Sequence, residues 1–310
     1  TVVKSGLMEL VGSVDCSSLQ KNQIGLVVVN SRFKPRNEIV NCIVDIPKDW
    51  NIRWNGNNRR DISLQAKDSE GNIVPCQILS LDDNTVFGYL KYGNVIGFDT
   101  TRCHIALEAK DIPSNGYKLL TVTPQKFKQV AVNPISKNTL TMENSKLYVE
   151  IAENGTLRVT DKKTGRTFNR LHYFEDCSDK GGPLRFDPAY ESGVITSLTQ
   201  RPEIALVSNG ELSATYRITY NWELPEQICT DLRIHVPHGS EWVDQGELKR
   251  SDKRKAITIS TEVTLKKDSS QLEFKTVVEN TVRDHRLRVV FPTGMKQAEM
   301  GLADSPFDLV

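Results

Sequence analysis

Two groups of side chains in this sequence have the types and spacing for acid–base chemistry. Glu175, Asp176 and Asp179 fall close together in a stretch that continues through Gly181-Gly182-Pro183 to Pro188 and Tyr190. Glycoside hydrolysis uses such a carboxylate pair, one as acid and the other as base or nucleophile. The competing reading is that acidic residues in a surface loop are only solvated. The second group is Asp284-His285-Arg286, where a carboxylate beside an imidazole would orient it for proton transfer. Against a dyad stands a polar turn between two strands, capped by Asp284 with Arg286 pairing outward, and this is the stronger reading. His172 or His285 converging with a Glu in a concave sheet would suit an aldose epimerase. Trp50 and Trp54 flank Asn51-Ile52-Arg53, and with Trp222 and Trp242 they offer either faces for sugar stacking or ordinary packing.

Other chemistries find little here. No phosphate loop, nucleophile elbow or H-E-x-x-H pattern occurs. His235-Val236-Pro237-His238 is the nearest approach to a metal pair, but Pro237 breaks any helix that would align the rings, so a solvated loop is expected. Cys16, Cys42, Cys76, Cys103, Cys177 and Cys229 are scattered without a C-x-x-C pair, which fits the reduced thiols of a cytoplasmic protein. Asn154-Gly155-Thr156 matches a glycosylation sequon, yet Asn-Gly between two alternating runs is first of all a hairpin turn.

The elements that must position these residues are strands. Leu272, Phe274, Thr276 and Val278 alternate with Glu273, Lys275, Val277 and Glu279, the two-residue period of a strand with one buried face. Ile257, Ile259, Thr261, Val263 and Leu265 alternate before it, and Leu287 to Phe291 follows it. The three predict consecutive neighbours at the core of a large antiparallel sheet. Upstream, hairpins are expected about Glu153-Asn154-Gly155, Asp161 to Gly165 and Ser208-Asn209-Gly210. Glu175 to Tyr190 is the least regular segment and so the place for function on a β scaffold. Short strands with polar turns also run from Ile24 to Val122. The division expected is residues 1–20 as the end of a preceding helical region, containing Leu7-Met8-Glu9-Leu10-Val11; 21–125 as a small β-sandwich; a linker about Pro124 to Ser136; and 137–310 as a large sandwich.

With 310 residues, 38% hydrophobic and 25% charged, the chain can bury a sizeable core. Its formal net charge of +1 gives no reason to expect nucleic acid or an acidic membrane surface. No apolar run approaches the roughly 18 residues of a membrane span. The first residue is Thr1, no signal-peptide pattern precedes it, and Phe307-Asp308-Leu309-Val310 resembles the middle of a strand, so a piece of a longer chain is expected.

Asn280, then Asp284 to Val289 with Phe291-Pro292-Thr293, and Ala303-Asp304-Ser305-Pro306-Phe307-Asp308 together resemble the C-terminal β region of glycoside hydrolase family 38, the α-mannosidases, and in particular their bacterial branch with the mannosylglycerate hydrolases. Met142-Glu143-Asn144 to Val149, Asn154 to Leu157 and Asp161 to Gly165 resemble the strands that open the family's large sandwich. Phe174-Glu175-Asp176 stands where the family's Gly- and Asp-rich loop begins, and Asp111-Ile112-Pro113 with Gly116-Tyr117 resembles the end of its smaller sandwich. The shared order runs from about Ile24 onward.

The resemblance implies an all-β fold, a small β-sandwich followed by a large antiparallel supersandwich of the galactose-mutarotase type. It implies that the nucleophilic Asp and the zinc ligands lie in an N-terminal barrel whose motifs are missing from this sequence. The segment is thus expected to be a non-catalytic part of a retaining glycoside hydrolase, with no catalytic residue, metal or cofactor of its own. Its expected partners are that barrel, a mannoside substrate and, through an apolar face, a second copy, but neither nucleic acid nor membrane. One departure stands out. The family loop reads Asp-x-Gly-Asp-x-Tyr, whereas here Asp179-Lys180-Gly181-Gly182-Pro183-Leu184 is followed by Arg185-Phe186-Asp187-Pro188, with Leu184 or Phe186 where the Tyr is expected. If the loop faces the cleft, Asp179 and Arg185 are the candidates to touch sugar hydroxyls. The alternatives are a free-standing carbohydrate-binding sandwich and an epimerase on the same supersandwich.

Overall fold

Residues that favour strands, arranged with a period of two, run through almost the whole chain, and the backbone follows them. The computed structural model describes residues 2–48, 50, 62–89, 95–126, 133–181, 186–189, 193–238, 241–295, 304–305 and 308–309. One helix, α1 (Val2–Gly12), is longer than the five-residue remnant expected, and its Leu7, Met8 and Val11 are exposed. Strands follow: β1 (Ile24–Asn30), β2 (Arg36–Pro47), β3 (Ile62–Asp68), β4 (Ile73–Val74), β5 (Cys76–Tyr89), β6 (Val95–Ile112) and β7 (Gly116–Lys126). Then come β8 (Thr141–Glu143), β9 (Leu147–Ile151), β10 (Leu157–Asp161), β11 (Thr167–Leu171), β12 (Tyr173–Ser178), β13 (Ile195–Thr196) and β14 (Glu203–Asn209). The last long strands are β15 (Ser213–Pro225), β16 (Ile228–His238), β17 (Glu241–Arg250), β18 (Arg254–Lys266), β19 (Leu272–Glu279) and β20 (His285–Val290).

The chain forms two compact units. The first holds Thr1–Lys137 with Leu206–Thr215 and Thr264–Leu272. Its sheets run β1-β7-β3-β4 and β2-β6-β5, with every neighbouring pair antiparallel. Inward residues of both sheets, among them Val44, Ile46, Ala66, Ile105, Leu107, Leu120 and Val122, make one apolar core. Within this unit Gln77 holds the turn after β14: its Oε1 accepts from the Leu212 and Ser213 amides, both at 2.9 Å, and its Nε2 donates to Ser213 O. A Cβ on Gly210 would stand 2.4 Å from the Gln77 carboxamide carbon, so any side chain there would displace the carboxamide from these bonds.

The second unit holds Asn138–Ala205, Tyr216–Val263 and Glu273–Val310. Strand orders are β11-β10-β9-β8, β13-β12-β20 and β16-β17, with a further sheet β14-β15-β18-β19. Burial on β18 alternates as its sequence predicts, with Ile257, Ile259, Thr261 and Val263 inside. On β15, Ile218, Tyr220, Trp222 and Leu224 face the same way. Tyr220 donates to Asn154 O at 2.7 Å, which ties the β9–β10 turn to the core. That turn needs Gly155 twice over: its φ is +78°, and a Cβ would lie 2.1 Å from the Tyr220 hydroxyl. The fold is all-β, a small sandwich followed by a large antiparallel supersandwich.

Three expectations are corrected. β20 is not the neighbour of β19 but pairs with β12 in another sheet. β19 is an edge strand, exposed along nearly its whole length, with Phe274 and Val278 each more than a third exposed. Its alternation marked a strand correctly but not a buried face, because an edge strand gains a covering layer only from what packs on it. Finally, the irregular segment starts at Asp179 and not at Glu175, since Tyr173–Ser178 is a regular strand.

Candidate functional site

The pairing of β12 with β20 sorts the candidate residues onto two faces. Its register sets Glu175 opposite Arg288, Asp176 opposite Leu287 and Ser178 opposite His285. Alternation therefore puts Asp176, Ser178 and His285 on one face, and Tyr173, Glu175 and Arg288 on the other. On the second face Arg288 Nη2 donates to Glu175 Oε2 at 2.8 Å, and the Tyr173 hydroxyl donates to Glu175 Oε1 at 3.1 Å. Burial first, then this bond to Glu175, raises the Tyr173 phenol above its usual value.

On the first face Asp176 is fully buried. His285 Nδ1 donates to its Oδ1 at 2.5 Å, and Arg250, the last residue of β17, donates through Nη2 to its Oδ2. The other ring nitrogen of His285, Nε2, stands 3.1 Å from Asn280 Oδ1. That oxygen also accepts the Val282 amide at 3.1 Å, which identifies it as the carbonyl end of the carboxamide. Both nitrogens of His285 thus face acceptors. The side chains of His285 and Arg250 are 6% and 10% exposed, so the cluster is closed on itself.

The dyad written in the sequence is not the one in the structure: the carboxylate beside His285 is Asp176, not Asp284. Asp284 does not cap its own turn, where Asn280 takes the Val282 amide; its Oδ2 takes the Ile228 amide at 3.2 Å and its carbonyl accepts the Asp179 amide at 2.9 Å. Arg286 finds no carboxylate among the described residues and lies over the Phe186 ring, 4.6 Å from its centroid. Asp179 is spent on its own loop, with Oδ1 accepting from Gly181 N at 3.1 Å and Asp187 N at 3.4 Å. Arg185 and Trp54 lie outside the described residues. Trp50 is partly buried against the first unit's core, Trp222 is buried, and the Trp242 side chain is outside the description. His235 and His238 sit on β16 paired with β17 and not in a loop. The Asn154 amide of the sequon donates to Leu198 O, and its oxygen takes the Thr156 amide and hydroxyl, so the hairpin-turn reading holds.

His172 is the residue whose environment the sequence concealed. It sits between β11 and β12 at φ 65°, a left-handed corner that His tolerates better than most residues. Its ring is 1% exposed and stacks on Phe274 at 5.1 Å, with Phe174 edge-on at 5.1 Å. Neither ring nitrogen has a partner among the described residues, and burial pushes its pKa down to about 4. An epimerase needs a Glu at one of the two rings: His172 has no partner among the described residues, and the carboxylate at His285 is the buried Asp176 and not a Glu. Arg250 gave no local signal at all, being 74 residues from Asp176.

A family model for the glycosyl hydrolases family 38 C-terminal domain matches residues 142–310, more than half of the sequence. The chain belongs to glycosyl hydrolase family 38. Its solved relatives in the family include an alpha-mannosidase from Enterococcus faecalis V583, 28% identical with a TM-score of 0.78, covering 99% of this chain and 35% of that one. A second family 38 structure from Enterococcus faecalis is 26% identical with a TM-score of 0.78, covering 99% and 37%. A Halalkalibacterium halodurans protein named "Putative mannosylglycerate hydrolase" is 29% identical over 201 residues, which is 63% of this chain and 22% of that protein. The chain therefore spans about a third of the length of these solved family members and less of the curated one. Among the described residues no group of three His, Cys, Asp or Glu side chains could hold a metal. The zinc that family resemblance implies has no donor set there.

Proposed function

We propose that this chain is the β portion of an α-mannosidase-like glycoside hydrolase, and that hydrolysis is carried out by residues elsewhere in the polypeptide. The observation that carries this reading is the closed state of the Asp176–His285–Arg250 cluster in a family 38 fold. A carboxylate that is fully buried and held on both oxygens by a guanidinium and an imidazole can reach neither a glycosidic oxygen to protonate it nor a sugar carbon to attack it. What the cluster does supply is a lock. It joins β12, β17 and β20, and removing one member of a buried ion pair costs about 3–5 kcal/mol. The scaffold reading follows, with the zinc-dependent barrel as partner, a mannoside as substrate, and the cytoplasm as location. No described helix is long and apolar enough to cross a membrane.

In the same reading the loop of Asp179 and Arg185 forms part of the substrate rim. Turnover of an aryl α-mannoside by the purified 310-residue chain, above a zinc-chelated control, would overturn the non-catalytic role. Replacing both rim residues in the full-length hydrolase is expected to raise KM with little change in kcat.

A further inference from the structure

We propose an anion-recognition subsite on the β10–β11 hairpin, centred on Arg170, for a sugar that carries a phosphate or carboxylate group. The inference goes beyond the scaffold role, since it needs no catalytic partner. It starts from charge. Between Leu157 and Leu171 the sequence holds Arg158, Lys162, Lys163, Arg166 and Arg170 against the single acid Asp161, in a chain whose formal net charge is only +1. Most of these cations are committed. Arg158 pairs with Glu150 at 3.3 Å, Lys162 pairs with Glu143 at 2.5 Å, and the Arg166 guanidinium lies 5.3 Å from the Phe168 ring centroid. Nearby Glu175 is taken by Arg288. Among the described residues Arg170 has no carboxylate partner, although it is exposed and close enough to the Tyr173 phenol to act on it.

Backbone geometry reinforces the point. The register of β10 with β11 shifts between Leu157 and Val159, so that two residues, Asn169 and Arg170, stand against Arg158 alone. At this bulge Arg170 takes φ 55°, a left-handed conformation that costs any residue with a Cβ and that glycine would occupy freely. Bulges re-aim side chains and recur beside functional sites. Here the bulge puts Asn169 and Arg170 on the wall of two adjoining depressions, of about 320 and 650 Å³. The smaller is completed by Phe168, Tyr173 and Thr293, aromatic surface beside hydroxyl and amide groups. That lining suits a sugar ring, and the unpaired guanidinium suits a planar or tetrahedral oxyanion.

The test uses the 310-residue chain in calorimetric titrations with mannose 6-phosphate, mannuronate and methyl mannoside. Saturable binding of at least one anionic sugar is expected, with the tighter of the two naming the anion. Arg170→Gly, which fits the same backbone, is expected to weaken that binding about tenfold or more while leaving Tm unchanged or raised. Arg166→Ala on the same hairpin is expected to bind like the parent chain. Equal binding of methyl mannoside, undiminished binding by Arg170→Gly, or binding by no anionic sugar of either the mannose or the glucose series would overturn the subsite. The mannose series is taken from the scaffold reading. A parallel glucose series therefore separates the two ideas: binding confined to glucose 6-phosphate or glucuronate supports the subsite while counting against a mannoside partner.

Discussion

Acidification should unfold this protein partly through one residue, His172. Its ring is 1% exposed among phenylalanines and its pKa is pushed from 6.5 down to about 4, because burial penalises the charged form. The unfolded chain then takes up a proton at a higher pH than the folded one. Above pH 6.5 both states are neutral at this site and it contributes no pH dependence. As pH falls from 6.5 towards 4 the unfolded state is increasingly favoured, and below 4 the loss levels off. The full gap corresponds to about 3 kcal/mol, of which about 2 kcal/mol is already lost at pH 5. His172→Phe keeps an aromatic ring against Phe174, Phe274 and Phe291 but has nothing to protonate. It brings its own cost at φ 65°, but that cost does not vary with pH and drops out of the comparison. Urea denaturation of both proteins at pH 8 and pH 5 is the assay. The parent chain should lose about 2 kcal/mol more than the variant across that interval. Equal losses, or a proton NMR titration placing the His172 midpoint near 6.5, would refute the reasoning.

Two further outcomes test the packing. Gly155→Ala should destabilise by about 4 kcal/mol, adding a left-handed alanine to a clash with the Tyr220 hydroxyl and loss of its bond to Asn154, as read from a thermal melt. Asp176→Asn should cost about 3–5 kcal/mol because Arg250 is left buried beside a neutral amide, whereas Glu175→Gln on the opposite face of the same strand should cost about 1 kcal/mol or less; comparable losses from the two would show that the buried cluster is no lock.

Much of the local structure was legible because it depends on neighbours in sequence. The alternation at Ile257 to Leu265, the Asn-Gly turn at Gly155 and the turn at Asp161 to Gly165 all appear where their residues place them. Order along the chain was also enough to identify family 38. The candidate site was less legible. Glu175, Asp176 and Asp179 look alike in sequence, yet one faces Arg288, one is locked under Arg250 and His285, and one closes a loop.

By itself, then, the sequence determined the class of fold, the position of most strands and the family, since period-two patterning and turn chemistry are local properties of the chain. Only the tertiary structure decided which strands are neighbours and which side chains meet. β20 leaves β19 for β12, and that single pairing brings His285 to Asp176 across 109 residues, while Asp284 takes the amide of Ile228. The physical reason is that a strand's hydrogen-bonding edge carries no record of its partner. Pairing is settled by which apolar faces can be buried together, and the meeting of an acid with a histidine follows from it.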